Sequence, residues 1–219
     1  MKASSSLLIF SIVFVIACPA FAVTLNQVDT FDTTVLSWSG GSSSTHVPGG
    51  GPGGAGDAYL QININNFHLA THNSNQWTGN YNSAGVNAIS MDLNHSAGAG
   101  PVSLRLVVYG PGGAFTSTVP TPVTSGWNSY VFSLLPADMV FLTGSGSSWP
   151  GGGTGVLSDT LANVSKLQIR NDPSVTPTPI GQHPQHITAT LGIDNITAVP
   201  EPITFVLLGL GTIVIRRKL

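Results

Sequence analysis

Apolar and polar residues alternate along several short segments, and this period of two constrains the fold more than any other feature of the chain. Leu60, Ile62 and Ile64 alternate with polar residues. The same alternation recurs over residues 89–94, 102–109 and 166–170. Successive side chains of a β-strand point to opposite faces, so each segment is predicted to be a strand with one apolar face. Four further segments are predicted strands: 35–38, 115–119, 127–134 and 187–196.

Turns rich in Gly, Pro, Ser and Asn separate these strands, and the central region lacks helical periodicity. Strands with a single apolar face bury that face when two sheets pack against each other. The sequence therefore predicts an all-β domain over residues 23–198, an antiparallel β-sandwich of jelly-roll type. The long connections 40–56, 144–155 and 172–185 are predicted to lie on the surface.

Residues 1–22 have the organisation of a cleavable signal peptide. Lys2 precedes an apolar run over residues 7–17, and Ala20 and Ala22 form the small-x-small pattern that signal peptidase cleaves. Cleavage is expected after Ala22. Two alternatives are a lipoprotein signal at Cys18 and a retained membrane helix, although the run is shorter than the roughly 20 residues that a span needs.

Residues 199–219 combine three features in a fixed order: Pro200, Glu201 and Pro202, an uncharged run over 203–215, and the basic cluster Arg216, Arg217 and Lys218. The prolines keep the first segment out of helices and sheet interiors, so a protease can reach it. The apolar run would rise about 20 Å as a helix, which is short of a hydrocarbon core of roughly 30 Å. This length favours a temporary transmembrane anchor with the basic cluster on the cytoplasmic side.

In this order and position, these residues resemble the PEP-CTERM sorting signal. The resemblance implies that Pro200, Glu201 and Pro202 are recognised by an exosortase-type membrane protease. It also implies export across the inner membrane of a Gram-negative bacterium, followed by transfer to the cell surface or an exopolysaccharide matrix. The alternative is a permanent anchor formed by a single C-terminal span.

The charge of residues 23–198 excludes one class of function. This region has three basic residues, eight aspartates and no glutamate, which gives a net charge of −5 with histidines neutral. Nucleic-acid binding requires clustered Lys and Arg, so it is not expected. Cleavage after Ala22 also removes the only cysteine, so we expect the stability of the domain to come from burial.

Two segments carry a second resemblance, over residues 161–170 (LANVSKLQIR) and 192–196 (GIDNI). They resemble parts of carbohydrate-binding-like jelly-roll domains, in which structural calcium near paired terminal strands is frequent. Carboxylate and amide oxygens suit Ca²⁺, and Asp29, Asp32, Asp194 and Asn195 are the candidate ligands. The resemblance also implies a carbohydrate partner.

Aromatic residues are the remaining candidates for ligand binding. Trp77 and Trp149 lie in polar loops, where each is expected either to stack on a sugar ring or to anchor its loop. Trp38 and Trp127 lie in strand patterns and are expected in the core. Two pairs of histidines are closely spaced, His68 with His72 and His183 with His186. Neither pair lies on a predicted helix, so we expect solvated histidines and no metal site.

These observations predict a non-catalytic surface or matrix protein that binds exopolysaccharide or has a structural role. One alternative is a polysaccharide hydrolase that uses two aspartates among Asp29, Asp32 and Asp194, because glycoside hydrolysis requires paired carboxyl groups. Another is a passive structural or adhesive coat protein. No catalytic residue is assigned.

Overall fold

The computed structural model describes residues 22–96, 100–144 and 152–200. Twelve strands are seen in this part of the chain: β1 (Val28–Asp29), β2 (Ser43–Val47), β3 (Tyr59–Phe67), β4 (Ala70–Asn73), β5 (Ala88–His95), β6 (Val102–Gly110), β7 (Gly113–Ser117), β8 (Thr121–Val123), β9 (Asn128–Ser133), β10 (Met139–Phe141), β11 (Lys166–Asn171) and β12 (Ile187–Val199). Two short helices accompany them, α1 (Tyr81–Ala84) and α2 (Leu157–Ala162).

The strands form two antiparallel sheets of six. The first sheet has the order β2-β3-β12-β5-β9, with β1 paired to β12. The second sheet has the order β10-β7-β6-β11-β4, with β8 paired to β6. The two sheets form a β-sandwich, as the alternation predicts.

The apolar faces of both sheets meet in one core. Leu60, Ile62, Leu191 and Ile193 of the first sheet are fully buried in the same cluster as Leu167 of the second. Period-two alternation therefore gave the correct inward face for these strands.

One predicted strand is wrong. Residues 35–38 form a turn in which Leu36 and Ser37 have positive φ angles of 46° and 63°. This turn directs Trp38 into the core, where its side chain has no exposed surface. A short stretch of apolar residues thus marks burial, but it does not distinguish a strand from a tight turn.

Residues at both ends of the described region make contacts with the domain. Ala22, the last residue of the predicted signal peptide, is exposed, whereas Val23 is buried and its N–H donates to Thr78 O at 2.7 Å. At the other end β12 continues to Val199, one residue beyond the predicted boundary. In the described part of the chain, no helix is long and apolar enough to cross a membrane.

Candidate functional site

Trp77 lies in the core, not on a ligand-binding surface. Its ring is fully buried and packs against Trp38, with 6.3 Å between the ring centroids. Both indole N–H groups donate to the same atom, Asp29 Oδ2, at 2.7 Å. Of the two roles expected for Trp77, stacking on a sugar is therefore wrong, because no face of the ring is open to a ligand, and the ring instead anchors its turn in the core.

The same contacts remove Asp29 from the predicted calcium site and from the alternative catalytic pair. Gln76 Nε2 is a third donor to Asp29 Oδ2, at 3.1 Å. Three donors on one carboxylate oxygen satisfy this buried polar group by hydrogen bonding. Asp29 is thus a structural residue that links β1 to two distant turns.

The remaining calcium candidates do not form a metal site as folded. Asp32 is exposed and accepts a hydrogen bond from Thr30, whereas Asp194 is buried and Asn195 donates to Asp92. Within the described ranges, no three His, Cys, Asp or Glu side chains are arranged to hold one metal ion. Calcium binding stays a prediction.

Asp194 nevertheless has an unusual environment. It lies directly opposite Asp92 across β12 and β5, where two negative charges repel. Its Oδ1 accepts the N–H of Asn195 at 2.8 Å, and its buried Oδ2 has no hydrogen-bond partner among the described residues. Burial, reinforced by the charges of Asp57, Asp92 and Asp32, raises the pKa of Asp194 to about 7, although the Asn195 N–H lowers it. A proton or a cation on Oδ2 would remove this cost.

The alternative hydrolase also lacks support in this geometry. Asp29 and Asp194 are 4% and 1% exposed, so neither carboxyl group reaches a sugar in solution. Catalysis of glycoside hydrolysis requires both carboxyl groups to contact the substrate.

Trp127 is a half-buried surface residue, so its expected place in the core is wrong. Its ring covers Gly192 on the outer face of the first sheet, where a Cβ atom would lie 2.8 Å from Trp127 Cη2. Trp127 Nε1 donates to Gly50 O at 2.9 Å, and Tyr59 packs edge-on with a centroid distance of 5.1 Å. Because Gly192 has no side chain, the indole ring can lie directly against the backbone of β12.

The outer face of the second sheet is covered by the chain itself. Residues 172–186, which we call the covering loop, fold back over β6 and β11. Ile180 of this loop forms a second apolar cluster with Val107 and Tyr109 of β6, Ala114 of β7 and Leu142, which follows β10. Covered in this way, Arg105, Gln168 and Arg170 of this face are buried although they are polar or charged.

Buried charges fasten the covering loop to the sheet. Arg105 donates through its guanidinium to the backbone oxygens of Ser117, Asp172 and Ser174. Arg170 Nη2 lies 2.8 Å from Asp172 Oδ2, which also accepts the N–H of Thr178 at 2.8 Å.

These three buried charges do not balance. Arg105, Arg170 and Asp172 are 0%, 5% and 0% exposed, so two guanidinium groups share one carboxylate. Burial lowers the pKa of Arg105, the proximity of Arg170 lowers it further, and Asp172 raises it. A net positive charge therefore remains beneath the covering loop.

A cavity of about 90 Å³ remains between β11, β4 and the covering loop. Its walls include Tyr109, Gln168, Arg170, His68 and His183. Since one water needs roughly 10–15 Å³ on this scale, the cavity has room for several waters or for part of one sugar residue.

The pocket is rich in hydrogen-bond donors. Tyr109 OH donates to Gln168 Oε1 at 2.8 Å, which leaves the Gln168 amide nitrogen as a donor. Among the described residues, two buried nitrogens at this pocket have no hydrogen-bond partner, Arg170 Nε and His68 Nδ1. Burial raises the pKa of Tyr109 to about 12, against the opposing effect of Arg170, so its hydroxyl is neutral at ordinary pH.

Two histidines from distant segments, His68 and His183, line this pocket and contact each other. His68 and His183 stack with centroids 4.3 Å apart and an interplanar angle of 12°, and His186 lies 6.4 Å from His68. Burial lowers the pKa of His68, and His183 and His186 lower it further. Parallel stacked rings do not share one metal ion, because a metal lies in the plane of each imidazole that binds it.

Several sequence-predicted residues lie outside the described residues: Trp149, Ala20, Glu201, Pro202, Arg216, Arg217 and Lys218. Pro200 is the last described residue and follows β12 directly.

Comparison with known proteins identifies the C-terminal segment. Residues 198–218 match the PEP-CTERM protein-sorting motif. This match confirms the predicted resemblance and implies export and sorting to the cell surface. The full chain matches no curated protein.

Solved structures with a similar fold include two agarases. An exo-beta-agarase has a TM-score of 0.54 and 14% identity over 82% of this chain, and the agarase AgWH50C has 0.52 and 13% over 81%. This chain spans about a quarter of each agarase, 25% and 24% respectively. The Family 11 Carbohydrate-Binding Module from Clostridium thermocellum has a TM-score of 0.49 and 13% identity, over 80% of this chain and 95% of that one. At these identities the agarase matches show the fold alone, and they confirm the predicted jelly-roll-like β-sandwich.

Proposed function

We propose that the PEP-CTERM-sorted protein is a non-catalytic surface or matrix protein whose β-sandwich binds exopolysaccharide. Processing by signal peptidase and by an exosortase-type protease would deliver it to the cell surface, after transient anchoring in the membrane. The pocket between β11 and the covering loop supports the binding role.

The single observation that carries this proposal is the pair of unpartnered buried nitrogens at that pocket, of which the Arg170 Nε–H is a donor. Arg170 Nε and His68 Nδ1 are buried without a partner among the described residues, and both residues line a cavity beside the Tyr109 ring, as Gln168 does. Buried donors without partners are costly, so a ligand that supplies oxygen acceptors would stabilise this arrangement. Sugars present such oxygens together with apolar ring faces that pack on aromatic side chains.

The agarase matches agree with this proposal at the level of architecture. In those proteins the similar fold occupies about a quarter of a longer chain. The fold therefore does not itself imply catalysis, because different functions are carried by one architecture.

The proposal is tested by binding of the full chain, purified from producing cells in mild detergent, to exopolysaccharide isolated from those cells. We expect saturable binding in affinity electrophoresis and calorimetry. Gln168→Leu should weaken binding, because it removes an amide donor and leaves Tyr109 OH without its acceptor. Trp127→Ala, on the outer face of the opposite sheet, is the matched control and should leave affinity unchanged.

Two results would contradict the proposal. One is the absence of binding by the folded wild-type protein, which would favour a passive coat. The other is equal affinity of the wild type and Gln168→Leu, which would place binding elsewhere.

A further inference from the structure

The positive charge beneath the covering loop indicates which sugars the pocket accepts. All three basic residues of the region 23–198, Arg105, Lys166 and Arg170, lie on β6 and β11 of the second sheet. Asp92 and Asp194 lie on the first sheet. The domain is acidic in total, but its three basic residues are concentrated on the sheet where the pocket lies.

Local electrostatics at the pocket are set by the unbalanced group of Arg105, Arg170 and Asp172. Asp172 accepts hydrogen bonds from Arg170, Ser174 and Thr178, and it is not among the residues that line the cavity. The guanidinium of Arg105 donates its hydrogen bonds to backbone oxygens. Arg170 is the guanidinium that lines the cavity with an unpaired N–H, and that N–H is the donor left for a ligand.

An unpaired guanidinium N–H in a buried site favours a charged acceptor over a neutral hydroxyl. A hydrogen bond from the guanidinium to an ionised acceptor adds the attraction between opposite charges, which is strong where water is excluded, and a buried net charge is stabilised by a counter-charge. Lys166 adds to the positive potential of the same strand, with its Nζ 5.5 Å from the centroid of the Tyr109 ring.

We propose that this pocket recognises an acidic sugar, whose anionic substituent accepts the Arg170 Nε–H while its ring packs beside Tyr109. This inference rests on the proposed polysaccharide-binding function and specifies the ligand. The anionic group is a uronate carboxylate or a sulfate ester, which share the acceptor chemistry that Arg170 requires.

The first experiment compares three forms of the exopolysaccharide of the producing cells: untreated, carboxyl-reduced and desulfated. Carboxyl reduction converts each uronate into the matching neutral sugar and leaves the linkages intact. Removing the relevant group should weaken binding of the full chain by on the order of 10- to 100-fold, and the form that loses affinity identifies the source of the charge. If the untreated polymer binds and neither treatment changes affinity, the inference is wrong and the proposed function stands.

A second experiment uses a defined probe. Polygalacturonate should bind more tightly than its fully methyl-esterified form, and dextran sulfate more tightly than dextran, in at least one of the two comparisons. Equal binding in both comparisons would overturn the inference, even where the native polymer fails to bind at all.

Substitution at Arg170 tests the assigned residue. Arg170→Gln should abolish the difference between charged and neutral polymers, and Arg170→Lys should restore part of it through charge alone. Persistence of the full difference in folded Arg170→Gln would refute the assignment. Arg170→Gln removes the ion-pair partner of Asp172. If the variant does not fold for that reason, the comparisons of charged and neutral polymers with the wild-type protein still decide the specificity.

Discussion

Replacement of Asp194 by Asn is expected to stabilise the metal-free protein at alkaline pH. The native pKa is about 7, compared with an ordinary value of 3.8, so the native state holds the proton more tightly than the unfolded state does. The free energy of unfolding of the wild type therefore falls as pH rises from about 4 to 7. At 1.36 kcal/mol per pH unit, ionisation of this buried group costs about 2–4 kcal/mol at pH 8.

The amide of Asp194→Asn removes the negative charge and retains an oxygen for the Asn195 N–H. The variant should consequently be about 2–4 kcal/mol more stable than the wild type at pH 8 and nearly equal to it at pH 4. Urea unfolding in EDTA at both pH values, followed by the fluorescence of buried Trp38 and Trp77, measures this difference. Asp138→Asn, at an exposed position, is the control and should change stability by less than about 0.5 kcal/mol.

The same pair of proteins decides the calcium prediction. If Asp194 Oδ2 accepts Ca²⁺, the ion should stabilise the wild type at pH 8 by about 2.7 kcal/mol at 100 times its dissociation constant, and the Asn variant should not respond. If Ca²⁺ does not change the stability of the wild type, the calcium prediction is rejected. Protonation is then what neutralises this carboxyl group. A variant that is less stable than the wild type at pH 8 in EDTA would refute the reasoning about the buried charge.

Three further predictions test other parts of the structure. Trp77→Ala should lower the free energy of unfolding, measured in urea, by about 3–5 kcal/mol, because it leaves a cavity in the core. Trp127→Ala should lower it by less, because Trp127 is half-buried, and an equal loss of stability in the two variants would contradict this reasoning. Mass spectrometry of the mature surface protein should show a C-terminus that lacks residues 216–219, and an intact tail would refute sorting by cleavage. In an NMR titration His68 should have a midpoint below 6.5 that rises in His183→Ala, since the stacked ring helps to lower the pKa of His68; an unchanged midpoint would argue against that coupling.

The positions of strands and the inward face of each could be predicted only where alternation is strong. Strands β3, β5, β6 and β11 coincide with the alternating segments, because a half-buried strand requires an apolar residue at every second position. Short strands such as β4 (Ala70–Asn73) and β10 (Met139–Phe141) escaped prediction, since three or four residues do not establish a period. β2 escaped because its polar sequence, SSTHV, gives no apolar face.

Long-range contacts determine whether the predicted site residues lie in the core or on the surface. Trp77 follows a polar segment and reads as a surface residue, yet Asp29, 48 positions away, accepts its indole N–H and draws it into the core. Trp127 lies in a strand-like pattern, yet its ring packs over Gly192 on the outer face of the first sheet. Neither contact is visible in local sequence, because each joins segments that meet only after both sheets have formed.

The sequence by itself determined the β-sandwich class, the excess of negative charge and the sorting signal, since each of these depends on composition or on a contiguous motif. Only the tertiary structure decided that the outward residues of β6 and β11 are covered by residues 172–186. Alternation places Tyr109 on β6 and Gln168 and Arg170 on β11, all pointing outward, but a strand pattern carries no information about which loop folds over that face. The pocket exists because the loop, fastened by Asp172, encloses donors that would otherwise be hydrated.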